Sequence, residues 1–507
     1  MKYFIPAWYS ETVWWHDRNK PFYSKSKQSE FDDIVSMMNM HQKIGEDHRL
    51  IVLNYDSSLR LFLHRNQLMN TNYWSLFDAL QGFDAVTPKP LDYREMQWPR
   101  ETEFVHTSFI VKAFYKDTET KIYYNQEGYL VWMERYHQEQ LLKRLVFDDR
   151  GYLSSIVDFT GESTLIHYLN AQGIIIMTEN TATTMVEIKA DFHKFDRKLY
   201  TSMDELIAYQ LSKLVFAEDD HFIVAADNRH NQLIARSISS ERMTFSVFQK
   251  RNTKIDEAWI NTVQHSPRII VDTVKNMNRL QSLGHSHDLL RVTPFDAEFI
   301  PSVSSQLYVN YIGILIDGIE DLYLQKLIDL FELYIGKSNK YRLKLLSRFH
   351  KGNRSEALWQ QIAAINQKFI EMEEDFEDLK DKEIIEKEVI QFEYIPFEIN
   401  IVQVMSQLRI IIDINDEPDL YLQISAISAG VPQINIIETD YVKHKENGYI
   451  IPDNQSIFEG IDYYLKQLKH WNAAFTHSLQ LVQKYSSRNI IDQIDAFTKG
   501  VSHGSKI

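Results

Sequence analysis

The residues best placed to do chemistry lie between two apolar runs near the carboxyl terminus. The first run, Leu408 to Ile414, is typical of a buried β-strand and ends at an acidic turn that contains Glu417. A short helical stretch follows, stops at Gly430, and leads into the second run, Gln433 to Ile437. Because open α/β sheets bind ligands outside the carboxyl ends of their strands, this β–α–β unit predicts a ligand site beside Glu417. The alternative is a structural carboxylate, stabilised by the dipole at the amino terminus of the helix.

The unit resembles the nucleotide-sugar domain of retaining glycosyltransferases of the GT-B architecture. In those enzymes it carries Glu-x7-Glu followed by Gly-x-Pro, and the two acids contact the donor sugar and the ribose hydroxyls. Gly430-Val431-Pro432 fixes the register, so that the first acid corresponds to Glu417 and the second to Ser425. A serine cannot supply the two acceptor oxygens that a ribose diol uses. The resemblance therefore implies that the ribose contact is lost.

The same resemblance implies an Arg and a Lys after the first strand of this domain, where they would hold the donor diphosphate. The Arg position corresponds to Asp317 or Gly318, and the Lys position falls near Tyr323. A carboxylate in place of a guanidinium would repel a diphosphate. We therefore interpret Glu417, Ser425, Asp317 and Gly318 as relics of a donor site, with no catalytic residue and no cofactor.

Four stretches carry a resemblance to one particular family over the whole chain: Met1 to Asp17, Ser428 to Ile434, Lys445 to Asp453 and Leu468 to Phe475. The family is that of the glycosyltransferase-like accessory secretory proteins of the accessory Sec system, found in streptococci and their relatives. That system exports heavily glycosylated serine-rich-repeat adhesins. The chain resembles the first of its three accessory secretory proteins.

The resemblance implies a non-catalytic component of a complex with two other accessory secretory proteins. Such a complex would bind the glycosylated adhesin and deliver it to the accessory Sec motor ATPase. The implied location is cytoplasmic, with at most a peripheral contact with lipids at the inner face of the membrane. Two alternatives stay open: an active retaining glycosyltransferase that uses a nucleotide sugar such as UDP-N-acetylglucosamine, and a module that binds adhesin sugars directly.

Bulk composition excludes several other classes. The 507 residues contain no cysteine, which excludes disulfides, thiolate zinc sites and thiol catalysis. The net charge of −15 argues against nucleic acid as a partner. There is no apolar run of about 18 residues that could span a membrane. Glycine is scarce, at 16 residues, and neither G-x-G-x-x-G nor a P-loop occurs, which favours the loss of a nucleotide site.

The order of strand-like and helical patterns predicts an α/β fold of the GT-B type: two facing Rossmann-like domains with an antiparallel β-sheet inserted in the first. The insertion, a meander of some seven strands punctuated by glycine turns, is either a platform for a partner or substrate or a structural insert. The predicted first domain comprises 1–102 and 196–305, and the insertion between these two parts comprises 103–195. The second domain comprises 306–478, and 479–507 form a helix that crosses back to the first domain.

Three further groups of residues invite a functional hypothesis. Trp8, Trp14 and Trp15 could stack on sugar rings, although adjacent aromatic residues more commonly pack in a core. The loop His285 to Asp288 has metal-ligand residue types but no second cluster, so we predict no metal.

The third group is a helix with a heptad stripe, which is either a face packed on the second sheet or a docking helix for a partner. Its residues are Leu358, Ile362, Ile365, Phe369, Met372 and Phe376.

Overall fold

The computed structural model describes residues 1–20, 32–125, 127–264, 266–284, 288–374, 388–453 and 456–500. The chain divides into two compact units. The first comprises residues 1–24, 45–291 and 496–507, and the second comprises residues 25–44 and 292–495. This division places residues 292–305 with the second unit, whereas the sequence assigned them to the first domain; the predicted domain boundaries stay predictions. In the described ranges, no helix has both the length and the apolar character that crossing a bilayer requires.

The first unit contains a seven-stranded parallel sheet. Its strands are β1 (Lys2–Ile5), β2 (His48–Val52), β3 (Asn72–Ser75), β14 (His221–Ala225), β15 (Met243–Val247), β16 (Arg268–Val271) and β17 (Asp288–Arg291). They lie in the order β17-β16-β15-β14-β1-β2-β3. Its helices are α2 (Leu59–Arg65), α3 (Leu76–Gln81), α4 (Met203–Ser212), α5 (Asn231–Ser237), α6 (Glu257–Val263) and α7 (Val274–Ser282). Near-continuous apolar strands such as β14 suit this arrangement, because helices cover both faces of a parallel sheet.

A ten-stranded antiparallel sheet lies between β3 and β14 in the chain. The strands are β4 (Glu103–His106), β5 (Ile110–Tyr115), β6 (Thr118–Tyr124), β7 (Leu130–His137), β8 (Gln140–Phe147), β9 (Leu153–Asp158), β10 (Leu165–Leu169), β11 (Ile175–Asn180), β12 (Val186–Ile188) and β13 (Leu199–Tyr200). They form a meander from β4 to β13, with each strand paired to its neighbour in sequence. The predicted insertion is confirmed. The predicted seven strands were too few, since short strands such as β12 and β13 carry little alternation.

Buried polar contacts fasten this inserted sheet to the rest of the first unit. The turn between β8 and β9 carries Arg150, whose guanidinium donates to Asp78 on α3 and to Asp148 at 2.6–3.0 Å. Farther along the sheet, Glu179 accepts hydrogen bonds from the Trp15 indole at 2.9 Å and the Tyr168 hydroxyl at 3.0 Å. The insertion therefore shares a continuous polar and apolar interior with the parallel sheet.

Asp149 in the same turn gives the first unit a predictable pH dependence. Burial, together with the charge of Asp148, raises the pKa of Asp149 from 3.8 to about 7. Because the unfolded chain releases this proton near pH 4 and the folded chain keeps it to about pH 7, the group stabilises the fold below pH 4. That contribution is lost as the pH rises towards 7.

We therefore expect the free energy of unfolding of the wild-type chain to fall, relative to that of Asp149→Asn, between about pH 4 and pH 7. Urea unfolding of both proteins at intervals across this range measures the difference. Two curves that stay parallel over the whole range would show that Asp149 has an ordinary pKa.

The second unit is built on a six-stranded parallel sheet. Its strands are β18 (Asn310–Leu315), β19 (Tyr341–Ser347), β20 (Ile390–Tyr394), β21 (Leu408–Asp413), β22 (Gln433–Asn435) and β23 (Gly448–Ile450). They lie in the order β20-β19-β18-β21-β22-β23. Its helices are α1 (Asp33–Ile44), α8 (Asp321–Ile335), α9 (Glu356–Glu374), α10 (Glu398–Met405), α11 (Leu420–Ala429), α12 (Ile457–Leu465) and α13 (Leu468–Lys484). Helix α14 (Ser487–Thr498) starts in this unit, and its residues from 496 onward are assigned to the first unit. The strand order reverses between β18 and β21, which is where doubly wound sheets bind ligands.

The closing helical segment consists of α13 and α14, whereas the sequence predicted a single closing helix within 479–507. The break falls at Tyr485, whose backbone N–H still bonds the Leu481 carbonyl while α14 begins at Ser487. The predicted return of the last helix to the first domain stays a prediction.

Gly430 ends α11 in a conformation that other residues adopt poorly. Its φ is +65°, and a Cβ built there would lie 2.2 Å from the Cδ2 atom of Phe475 on α13. Left-handed backbone costs an L-residue about 1–2 kcal/mol, and the steric overlap adds to it. We expect Gly430→Ala to lower the free energy of unfolding by about 2 kcal/mol or more, measured by urea titration.

Gly352 provides the matched control for this substitution. A Cβ at Gly352 meets nothing within 4 Å, and its φ is not in the left-handed region. Gly352→Ala should therefore leave stability unchanged or raise it slightly. Equal effects of the two substitutions would contradict the role assigned to Gly430.

Candidate functional site

The candidate site is the carboxyl edge of the second parallel sheet, where β18, β19 and β21 end. Asp317 follows β18, Arg348 follows β19, and Asp413 is the last residue of β21. The loop after β21 carries Glu417 and leads to Asp419, the residue that caps the amino terminus of α11. This edge is the place where a GT-B enzyme of the predicted kind would hold its sugar nucleotide.

Asp317 is bound to the neighbouring strand. Its carboxylate accepts a hydrogen bond from the Ser347 hydroxyl at 2.6 Å and from the Arg348 backbone N–H at 2.8 Å. Burial raises the pKa of Asp317 even though these bonds favour the charged form. One of the two positions predicted for a diphosphate-binding guanidinium thus carries a carboxyl group with a structural role.

Gly318 brings the turn after β18 against the loop after β21. Its φ is +84°, and a Cβ at this position would lie 2.3 Å from Oδ1 of Asn415. Asn415 is itself held by Asp413, whose Oδ1 atom accepts hydrogen bonds from the Asn415 side chain at 2.8 Å and its backbone at 3.1 Å. The turn after β18 and the loop after β21 are therefore in direct contact at this edge.

A second carboxylate is buried beside this contact. Asp413 is 3% exposed, and burial raises its pKa to about 6. The Asp419 charge raises that pKa further, whereas the backbone N–H of Asp419, which donates to Asp413 Oδ2 at 2.8 Å, lowers it. This edge thus buries a second carboxyl group beside Asp317, and a carboxyl group offers a diphosphate no positive charge.

Two arginines follow β19, and both are committed to contacts within the second unit. Arg348 is buried and forms a bidentate ion pair with Asp419, in which Nη2 lies 2.7 Å from Oδ1. Arg354 donates to the Ile319 carbonyl at 2.6 Å and to the Asp321 carboxylate at 2.8 Å. These guanidinium groups tie loops together, and their charges are balanced inside the protein.

The two residues that correspond to the motif acids, Glu417 and Ser425, differ in their exposure to solvent. Glu417 is exposed in the loop before α11, whereas Ser425 lies in the middle of α11 and is 4% exposed. All ten residues of α11 are buried. A helix packed on every side leaves Ser425 in the interior of the second unit, and the role assigned to these two residues as relics stays a prediction.

The three tryptophans occupy the core of the first unit, so the hypothesis of sugar stacking needs correction. Trp8, Trp14 and Trp15 are each less than 10% exposed. The Trp8 ring packs on Phe62 with centroids 4.5 Å apart. Trp14 donates its indole N–H to Asp204 at 3.1 Å. Because their faces are covered by protein, a sugar ring cannot lie on them in this conformation.

The heptad stripe of α9 also packs inward, so the docking-helix hypothesis fails for the residues that the structure describes there. Leu358, Ile362 and Ile365 are buried in the core of the second unit, and Phe369 is partly buried against it. The side chains of Met372 and Phe376 lie outside the described residues, as do His285 to His287 of the loop considered for metal binding.

Sequence reasoning missed the Arg348–Asp419 pair. The partners are 71 residues apart, and neither belongs to a recognised motif. The available signal was weak: an arginine directly after a buried strand, and an aspartate directly before a helix.

These features define the class of the protein. It has a GT-B-like fold in which internal ion pairs tie together the loops at the carboxyl edge of the second sheet, the edge that binds the donor in such enzymes. The pneumococcal O-GlcNAc transferase GtfA, solved with UDP and GlcNAc, has a similar fold over 99% of both chains, with a TM-score of 0.70 and 13% identity. At that identity the likeness concerns the fold alone. It confirms the predicted GT-B architecture with its antiparallel insertion.

The family follows from closer matches. Residues 1–501 match the model of one protein family, that of accessory secretory protein 1 of the accessory Sec system. The chain belongs to this family. A Staphylococcus aureus protein of the same description is 38% identical over 99% of both chains. The crystal structure of accessory secretory proteins 1, 2 and 3 of Streptococcus pneumoniae contains a chain with a TM-score of 0.84 and 26% identity, covering 99% of both chains. The recognition made from sequence is confirmed, and the chain is a component of the accessory Sec system.

Proposed function

We propose that this protein is a non-catalytic scaffold of the accessory Sec system, which has kept the shape of a glycosyltransferase and lost its donor site. It assembles with two other accessory secretory proteins. The assembly binds glycosylated serine-rich-repeat adhesin and delivers it to the accessory Sec motor ATPase. We place it in the cytoplasm, with peripheral contact with lipids at the inner face of the membrane.

The observation that carries the proposal is the chemistry of the second sheet's carboxyl edge. The resemblance expects a diphosphate-binding arginine at Asp317 or Gly318, and the Asp317 carboxylate is held by Ser347 and the Arg348 backbone at the end of β19. The nearby Arg348 is neutralised by Asp419 in a buried pair. Freeing this guanidinium for a ligand would leave Asp419 buried without its partner, which costs several kcal/mol. These contacts of Asp317 and Arg348 therefore disfavour the binding of a nucleotide diphosphate at this edge.

The comparison with solved structures supports the proposed assembly with two other accessory secretory proteins. The pneumococcal structure holds accessory secretory proteins 1, 2 and 3 together, and one of its chains matches almost the whole of this protein. We extend that assembly to this chain. We include the adhesin and the motor ATPase because the accessory Sec system, to which the family belongs, exports such adhesins.

An active retaining glycosyltransferase that uses UDP-N-acetylglucosamine is the second candidate. One observation favours it: Glu417 keeps the position of the first motif acid and is exposed. The buried Ser425 and the carboxylate at Asp317 oppose it.

A reconstitution separates the two candidates. The purified chain is mixed with the two other accessory secretory proteins and with glycosylated adhesin, and binding is followed by sedimentation. Sugar transfer is followed with radiolabelled UDP-N-acetylglucosamine. We expect a stable assembly that retains adhesin and transfers no label. Label transfer by the isolated chain, abolished by Glu417→Gln, would establish the enzyme instead.

A further inference from the structure

Arg409, near the start of β21, is the extra residue of a β-bulge. Where β21 pairs with β18, Tyr311 lies opposite Leu408 and the next residue, Ile312, lies opposite Ile410, so that Arg409 has no partner on β18. A bulge takes a side chain out of the regular alternation of a strand, and bulges are frequent beside functional sites. This one places Arg409 at the amino edge of the second sheet, opposite the carboxyl edge described above.

Trp471 of α13 holds this arginine in place. The guanidinium carbon of Arg409 lies 3.9 Å from the centroid of the Trp471 ring. The Trp471 indole N–H donates to the Arg409 backbone carbonyl at 2.9 Å. The Trp471 ring is itself buried and stacks on Phe475, with 14° between the ring planes. Because a stacked guanidinium is already ordered, it loses little conformational freedom when an anion binds to it.

The guanidinium of Arg409 lacks a counter-ion within the part of the chain that the structure describes. There its side chain forms no ion pair and donates no hydrogen bond, although Nη1 is buried. Burial lowers the pKa of Arg409, and none of the described charged groups counteracts this effect. Arg348 and Arg354 of the same unit are each paired with a carboxylate. A partly buried cation without a partner is costly, and an anion from another molecule would complete it.

The surface beside Arg409 combines apolar and cationic side chains. Leu468, one turn before Trp471 on α13, is 58% exposed. Lys469 is exposed and forms no ion pair with the described residues. We call Arg409, Leu468, Lys469 and Trp471 together the Arg409 patch.

The acidic residues that border the Arg409 patch already contact basic groups. Helix α13 contains no acidic residue. Asp462, near the end of α12, pairs with Lys466 at 2.6 Å. Glu446, in the loop before β23, lies 3.3 Å from Nε2 of His477. The positive charge of the patch is therefore not cancelled from its borders, although the whole chain has a net charge of −15.

The size and composition of the Arg409 patch suit a protein carboxylate. Anionic lipid surfaces are bound by clusters of about four to eight basic residues, whereas this patch has two. Arginine and tryptophan are the side chains that most often dominate the binding energy of protein interfaces. A partner that sets a carboxylate against Arg409 and an apolar side chain against Leu468 would match both the charge and the exposed apolar surface.

We propose that the Arg409 patch receives an aspartate or glutamate side chain of another accessory secretory protein, with an apolar residue of that protein covering Leu468. This inference rests on the proposed function, and it names the surface and the chemistry of one contact.

The test uses the full-length chain and the purified pair of other accessory secretory proteins. Binding affinity is measured for the wild-type chain, for Arg409→Met and for the control Arg236→Met. Arg236 is exposed at the end of α5 in the first unit, and its substitution removes the same charge. The thermal midpoint of each isolated chain is measured as well. Labelling of Arg409 by phenylglyoxal, read by peptide mass spectrometry, compares the wild-type chain alone and in the assembly.

We expect Arg409→Met to weaken the assembly about tenfold or more. The thermal midpoint of the isolated variant should stay unchanged or rise, because the substitution removes an uncompensated charge. The control should bind as the wild type does, and the partners should protect Arg409 from phenylglyoxal.

Equal affinities with unchanged labelling of Arg409 would overturn this inference and leave the proposed function intact. A lower thermal midpoint for Arg409→Met would assign the arginine a structural role and would also overturn it. A wild-type chain that forms no assembly would overturn both. Self-association of the chain, or binding to anionic vesicles, abolished in Arg409→Met would assign the patch to another occupant and overturn the inference.

Discussion

Replacing Arg150 by methionine should lower the free energy of unfolding by about 3–5 kcal/mol, since it leaves two buried carboxylates without their shared cation. The Arg150 side chain is 5% exposed, and Asp78 and Asp148 are 10% and 4% exposed. Its guanidinium also donates to the Phe83 carbonyl at 2.9 Å. Loss of this group therefore also weakens the attachment of the inserted sheet to α3.

Urea unfolding, followed by tryptophan fluorescence, measures this effect. Arg94→Met is the matched control, because Arg94 is 72% exposed and pairs with the nearby surface residue Asp92. The control should be indistinguishable from wild type. Adding Asp78→Asn and Asp148→Asn to Arg150→Met should recover part of the loss, because it removes the uncompensated charges. An Arg150→Met protein as stable as the wild type would contradict the structural role of Arg150.

Arg348→Met should cause a loss of similar size in the second unit, about 3 kcal/mol, near the lower end of the range for a broken buried pair. Asp419 would stay buried but would still accept the Leu422 backbone N–H at 2.9 Å as the cap of α11, which offsets part of the cost. The double variant Arg348→Met/Asp419→Asn should be markedly more stable than the single one, since asparagine caps the helix without a charge.

The same urea titration checks this second prediction, with Lys443→Met as the control. Lys443 forms an exposed pair with Glu438, so its loss should not be measurable. If Arg348→Met were neutral and the double variant no better, the guanidinium would be free for a ligand. The proposal that internal ion pairs occupy the carboxyl edge of the second sheet would then lose its main support.

Local sequence signals predicted the second unit well. The apolar run that became β21, the glycine stop of α11 and the strand after it all follow from residues close together in the chain. These elements are predictable because turn residues and apolar periodicity can be read from neighbouring positions in the sequence. The position of Asp317 after β18 was predictable for the same reason.

Contacts between distant segments were not predictable. The pairing of Arg348 with Asp419 and the hydrogen bond from Ser347 to Asp317 depend on strand order, which brings separate loops to one edge. The tryptophans near the amino terminus gave an ambiguous signal, since aromatic residues suit both cores and sugar sites. The heptad of α9 shows the same limit, because a regular apolar stripe suits both a core face and a docking face, and the described residues of this one are buried.

Calorimetric titration of the purified chain with UDP and with UDP-N-acetylglucosamine tests the central claim most directly. The pneumococcal O-GlcNAc transferase, whose structure contains UDP, serves as the positive control under identical conditions. The account predicts a binding isotherm for the transferase and none for this chain at millimolar nucleotide. A dissociation constant in the low micromolar range for this chain, lost in Arg348→Met/Asp419→Asn, would contradict it.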